Sequence, residues 1–172
     1  MRKAHSGFTL LELMVSIGVL AILLAIGVPT FQNVIRNNRI AGSTNELVTA
    51  LTYARSEAMK RGDPVTVCAS SDEAVCTGDT DWSTGWIVFV DTDGNATRGA
   101  GEPLIQVWGA IGGGLDLDAF DGSIQYTSTG LTFPVITNGW FELMKPEHGG
   151  DKARCVRIAG TGRISTERST CS

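Results

Sequence analysis

Residues 8–28 read FTLLELMVSIGVLAILLAIGV, an apolar run with a single charge, at Glu12. About 20 apolar residues are enough for a helix to cross the hydrocarbon of a bilayer, so this run reads as a membrane-spanning helix. The residues before it, MRKAHSG, carry Arg2 and Lys3. Cationic flanks stay on the cytoplasmic side, which directs everything after Val28 to the periplasm or exterior. A cleaved secretory signal is the alternative, but its apolar core is usually about 7–15 residues long and ends at a small-residue cut site. Here the run is longer, and Pro29 and a polar segment follow it without an A-x-A-like site. The segment is therefore expected to be retained.

Glu12 is the exception that asks for a reason. A carboxylate in hydrocarbon costs about 2.5–3.5 kcal/mol on insertion scales, so it is expected to have a partner or to reach the interface one turn into the helix. A cut between Gly7 and Phe8 would create an amine at Phe8, and the amine of a neighbouring copy could neutralise Glu12 in an apolar bundle. These residues resemble the type IV pilin superfamily, whose precursors carry a short basic leader ending in glycine and then Phe-Thr-Leu-x-Glu. The motif stands here as Gly7-Phe8-Thr9-Leu10-Leu11-Glu12. The resemblance implies a leader at 1–7, cleavage between Gly7 and Phe8 by a prepilin peptidase, and N-methylation of Phe8. It also implies a helix at 8–28 that enters a filament core, with Glu12 serving subunit assembly and Pro29 as a helix kink. A proline there removes one backbone hydrogen bond and bends the helix. The alternative for Pro29 is a helix end at the membrane surface.

After Pro29, the apolar residues Phe31, Val34, Ile35, Leu47, Val48, Leu51, Ala54 and Ala58 recur at spacings of three, four and seven. That periodicity marks residues 29–62 as the amphipathic half of the same helix. Gly62-Asp63-Pro64 supplies its stop. One helix of about 50 residues would be roughly 75 Å long. From Val65 the pattern changes to short β-type runs: 65–69, 86–90, 104–108, 124–126, 131–133, 140–144, 155–159 and 163–165. Helix and strands are segregated along the chain, so the fold class is α+β: a long helix packed against an antiparallel sheet in a β-rich head at 63–172. The block Trp82-Ser83-Thr84-Gly85-Trp86, the stretch Ala54-Arg55-Ser56-Glu57-Ala58 before a Val-x-Val-Cys strand, and Gly162-Arg163 resemble the GspH/FimT group of minor pilins and pseudopilins. Trp82 and Trp86 read as core residues.

Four cysteines, two histidines and 21 glycines leave little for a metal or acid–base site and suit a disulfide-stapled, loop-rich head outside the cytoplasm. Four cysteines allow three pairings, and local closure favours Cys68 with Cys76 and Cys155 with Cys171. No cofactor or metal is expected. The nearest approach to a cation site is Asp91, Asp93, Asn95 and Glu102, at positions 1, 3, 5 and 12 of an EF-hand-like calcium loop. Ala96 stands where that loop needs glycine, and the flanks read as strands, so a hairpin between Val90 and Leu104 is the competing reading. Arg154, Arg157, Arg163 and Arg168 make the C-terminal strand region basic in a chain of net charge −4. Some FimT-like pilins bind DNA through Gly-Arg-x-Arg; Gly162-Arg163 matches its start, and Ser165 replaces the second arginine. The competing reading is an edge strand protected by charge.

With 42% apolar and 19% charged residues, the chain has ordinary folded composition. It has no H-E-x-x-H, no G-x-S-x-G and no paired catalytic acids, and Gly112-Gly113-Gly114 lacks the Lys-Ser/Thr ending of a phosphate loop. The expected function is therefore non-enzymatic. The resemblance implies a minor pilin of a Gram-negative type IV pilus, acting in an initiating or tip complex. The alternatives are a type II secretion minor pseudopilin and a DNA-uptake pilin. Its implied partners are other major and minor pilins, prepilin peptidase, the inner-membrane pilus assembly machinery and the inner membrane, with DNA as a candidate. The implied location is a single-pass inner-membrane state, N-terminus cytoplasmic and head periplasmic, followed by the pilus filament at the cell surface.

Overall fold

The computed structural model describes residues 9–144 and 153–171, with backbone alone at positions 29 and 30. Gly7, Phe8 and the segment before them lie outside the described residues. The chain divides into two compact units, residues 1–37 and 38–172. Helix α1 (Leu10–Arg61) contributes to both.

In the first unit, α1 exposes its large apolar side chains all round, from Leu10 at 76% to Ile26 at 68%. It is the one described helix long and apolar enough to cross a membrane. Position 29 lies inside α1, so the helix does not end there. An apolar rod with no cover of its own is stable only where another apolar phase receives it.

In the second unit, α1 buries Ile40, Leu47, Ala50, Leu51, Ala54 and Ala58. Three of those are alanines, which let the strands approach the helix axis closely while Leu47 and Leu51 fill the space beside them. Each buried leucine contributes about 1.5–3 kcal/mol. Near the helix end, Glu57 accepts from Arg61 Nε at 2.6 Å and Lys60 Nζ at 3.1 Å. The Arg61 bond, then Lys60, hold its carboxyl below the usual range against the opposing effect of burial.

Among the described residues nine strands follow, in two antiparallel sheets rather than the single sheet and eight strands expected. The first runs β3 (Leu104–Trp108), β2 (Trp86–Val90), β1 (Val65–Ala69), β5 (Ser123–Tyr126), β6 (Thr132–Phe133). The second runs β4 (Asp116–Ala119), β7 (Gly139–Met144), β8 (Arg154–Ile158), β9 (Ile164–Glu167). The additional strand, β4, reads DLDA. Aspartate is depleted in strands and hides the signal, yet Leu117 and Ala119 turn inward while the acids turn out.

Both sheets and the helix share one core. Val65, Val67, Val88, Ile124 and Tyr126 come from the first sheet and Leu117, Phe141, Leu143, Val156 and Ile158 from the second, with Trp82 and Trp86 among them. Trp82 meets Phe141 edge-on at 4.7 Å, and its Nε1 donates to Asp121 O at 3.0 Å. Gly85 explains the glycine between the two tryptophans. Its φ is +112°, and a Cβ there would lie 2.6 Å from Trp108 O, so only glycine lets β2 start beside β3.

Strand alternation sends Cys68, Ile87 and Phe89 to the opposite face of the first sheet, where they form a small second cluster with Cys76 and Val107. Cys76 is bonded to Cys68 (S–S 2.02 Å), which draws loop 70–77 over this face. Arg98 Nη1 in loop 91–103 donates to Ala74 O at 2.8 Å and ties the two loops together.

Candidate functional site

At the start of the described chain, Thr9 caps α1. Its Oγ1 accepts from Glu12 N at 3.3 Å, and its carbonyl takes the first helical bond from Leu13 N at 3.1 Å. A side-chain acceptor at this position satisfies a donor that no helical carbonyl can reach. The signal, Thr-x-x-Glu, stands in the sequence, but the reading of Glu12 as an assembly residue passed over it. Glu12 is exposed, and Ser16 Oγ donates to its main-chain carbonyl at 2.7 Å. No described residue donates to its carboxylate, so the side chain faces whatever surrounds the apolar rod.

The acidic loop is compact. The carboxylates of Asp91, Asp93 and Glu102 offer oxygens within 4.8 Å of one another. Asp91, fully buried, accepts at Oδ2 from Thr66 Oγ1 (2.7 Å), Gln125 Nε2 (2.7 Å) and Ala96 N (3.0 Å), and at Oδ1 from Asn95 N (3.1 Å). Glu102 accepts from Thr92 N and Gly99 N, each at 2.8 Å. Asn95 bonds within the loop. Its amide nitrogen donates to Asp93 Oδ2 at 2.7 Å, and its carbonyl oxygen accepts from Thr97 N at 2.7 Å. The residues that match a calcium loop by spacing thus spend their oxygens on donors of the protein, the loop's N–H groups together with the side chains of Thr66 on β1 and Gln125 on β5.

The four arginines do not share one face. Arg157 pairs across the ladder with Trp140 and Ser165, on the outward side, whereas Arg154 pairs with Leu143, whose side chain is in the core. Arg157 Nε lies 4.0 Å from Glu167, and its Nη1 reaches Asn138 at 3.5 Å. Arg163 and Arg168 are exposed. Arg55, which the sequence reading used only as part of a motif, donates Nε to Gly130 O at 2.9 Å and Nη2 to Thr161 O at 3.0 Å. It thereby joins a turn of each sheet to the helix. Cys155 and Cys171 are bonded (S–S 2.07 Å), and Cys171 N donates to Glu142 at 3.1 Å, which fixes the C-terminal tail on β7 and β8. On β4, burial and then the charges of Asp116, Asp81 and Glu142 push the Asp118 carboxyl up.

A helix that is bare and apolar before its amphipathic half, followed by antiparallel sheets packed on that half, defines the type IV pilin fold. The comparisons agree with that class. Residues 2–28 match the prokaryotic N-terminal methylation motif, and residues 43–162 match the family described as type II transport protein GspH. The chain belongs to the GspH family of the type IV pilin superfamily. A fimbrial protein of Pseudomonas aeruginosa is 30% identical over 127 residues, 74% of this chain and 69% of that protein. Prepilin peptidase-dependent protein D of Escherichia coli (strain K12) is 53% identical over 47 residues, 27% of this chain and 30% of that one. The crystal structure of the type IV minor pilin FimU from Pseudomonas aeruginosa superposes with a TM-score of 0.62 at 22% identity, covering 77% of this chain and 90% of that one. The family is one of structural pilins.

Proposed function

We propose that this chain is a non-enzymatic minor pilin of a Gram-negative type IV pilus, acting in the complex that initiates assembly or caps the tip. It is cut between Gly7 and Phe8, methylated at Phe8 and held in the inner membrane with its N-terminus cytoplasmic and its head periplasmic. The assembly machinery then extracts it into a filament with other major and minor pilins. The observation that carries this reading is the segment 10–28, apolar on every side with one acid, Glu12. Such a helix is stable in lipid before assembly and in a bundle of like helices after it, and in the bundle a neighbour's terminal amine neutralises Glu12.

Gene deletion is expected to strip major pilin from the cell surface, with restoration by the intact gene and not by Glu12→Ala. Normal piliation in the deletion strain would overturn the pilus role. The match of residues 43–162 to a type II transport family supports one second reading, a minor pseudopilin of a type II secretion system. Under that reading the deletion blocks secretion and leaves surface pili intact.

A further inference from the structure

β6 is the outer strand of the first sheet. A groove of about 230 Å³ opens beside it, between β5 and the segment 134–138. Its apolar lining comes mainly from Phe120, Phe133, Pro134, Val135 and Ile136, and its one charged residue is Asp121. Val135 and Phe133, 69% and 60% exposed, are the barest large apolar side chains among the described residues of the second unit. The groove is preformed. A Cβ on Gly139 would lie 2.5 Å from Ile136 Cγ2, and one on Gly160 would lie 2.6 Å from Val135 Cγ1. The segment is therefore seated against the start of β7 and the turn after β8.

The main chain at this edge selects what can cover it. Pro134 has no N–H, and Thr132 N already donates to Gly160 O at 3.0 Å, so an added strand finds no regular ladder here. A helix bonds its own main chain and needs only side chains to enter a groove, presented at i, i+3 and i+4. Past its lipid-length run, α1 bears such a face in Phe31, Val34 and Ile35, all exposed. Between Glu12 and Glu46 the helix also carries Arg36 and Arg39 and no acid, opposite in sign to Asp121 at the groove. Three side chains in so small a groove cover less than the roughly 1,000 Å² that a stable free complex needs. A soluble partner would not stay, whereas a subunit already tethered through its apolar rod would, because tethering raises its local concentration. We infer that the groove beside β6 receives the helix neck of an adjacent pilin subunit, an apolar stripe with an aromatic anchor of the kind that this chain shows at Phe31, Val34 and Ile35. This rests on the pilin reading above. The contact joins two unlike surfaces, groove and neck, so repetition carries it along a fibre instead of closing it into a dimer.

The test places the photoreactive amino acid p-benzoylphenylalanine at position 133 of the full-length chain in its native cells. Phe133 is exposed, and the probe keeps its ring. The expected product is an adduct with a pilin subunit, mapped to the N-terminal helix just past the apolar run, the part that corresponds to 31–35 here. Val135→Asn should lower the yield at least about tenfold, because the anchor loses an apolar wall of its pocket, and Val135→Leu should retain most of it. Val75→Asn, on loop 70–77 and also exposed, should leave the yield unchanged. Val135 is exposed, so its variants are expected to fold, and formation of both disulfides checks this. An adduct mapped to a strand of another head, to a protein other than a pilin or to nucleic acid overturns the inference. So does the absence of any adduct when the deletion strain has lost its pili, and in that case the pilin reading survives. A deletion strain with normal pili and normal secretion removes both.

Discussion

Asp91→Ala tests whether the acidic loop is held by its own hydrogen bonds. Asp91 is fully buried and accepts four donors, two of them from the side chains of Thr66 and Gln125, both interior. Each interior donor left without an acceptor costs about 1–3 kcal/mol. The N–H groups of Asn95 and Ala96 can turn to water and cost less. The expected loss is about 3–5 kcal/mol, after allowing for partial rearrangement. At about 2–4 °C per kcal/mol for a chain of this size, unfolding should occur about 6–20 °C lower. Asp91→Asn keeps one acceptor oxygen and should lose roughly half as much. Full-length protein in detergent micelles, followed by tryptophan fluorescence on heating, reads the transition through the buried Trp82 and Trp86. A midpoint for Asp91→Ala within about 2 °C of wild type would refute the reasoning. The same scan run with millimolar calcium separates the rival use of these oxygens. A rise of several degrees in wild type that vanishes in Asp91→Ala would make the carboxylates cation ligands.

Other consequences concern the sheets and their turns. Asp118→Asn should raise the unfolding midpoint at pH 7: the Asp118 carboxyl is pushed up in the folded chain, so ionisation costs stability above that range. The gain should fade as pH falls below about 3.9, where the unfolded carboxyl is protonated too, and a pH series of thermal scans checks the sign. Gly162→Ala should cost about 2–4 kcal/mol, because φ is +72° and a Cβ would collide with Gly130 O and lie 2.8 Å from Arg55 Nε. Gly112→Ala, with nothing within 4 Å of its Cβ, should change stability by less than about 1 kcal/mol when both variants are unfolded in a urea titration. Cys171→Ser opens a closure of 16 residues and should cost about 3 kcal/mol, read as a lower urea midpoint.

The helix and eight of the strands were legible because each follows from a local rule: lipid-length apolar run, helical periodicity, or a short β-branched stretch between turns. The division into two sheets was not, because no single strand records whether its next neighbour is sequential or distant; β1 pairs with β5 across the loops and strands of residues 70–122. β4 was missed because its acids mask its alternation. The loop at 91–102 shows the limit of spacing arguments. Asp91, Asp93 and Glu102 do converge, but a sequence cannot tell whether a carboxylate meets a cation or an N–H group. Gly162-Arg163 carries the family resemblance and only the start of a DNA-binding motif in the sequence; the structure adds that Gly162 has a steric reason of its own in the approach of Gly130 and Arg55.

The loops over the first sheet are anchored at their bases, loop 70–77 through Cys68–Cys76 and loop 91–103 through the carboxylates of Asp91 and Glu102, and Arg98 ties one loop to the other. Because those anchors lie at the loop bases, the residues between them are released from any duty to the strands. Selection can therefore rewrite the crests of these loops, in length as well as in chemistry, without renegotiating the fold beneath. In the filament role proposed above, that separation lets the loop surface change while the assembling part of the subunit stays fixed.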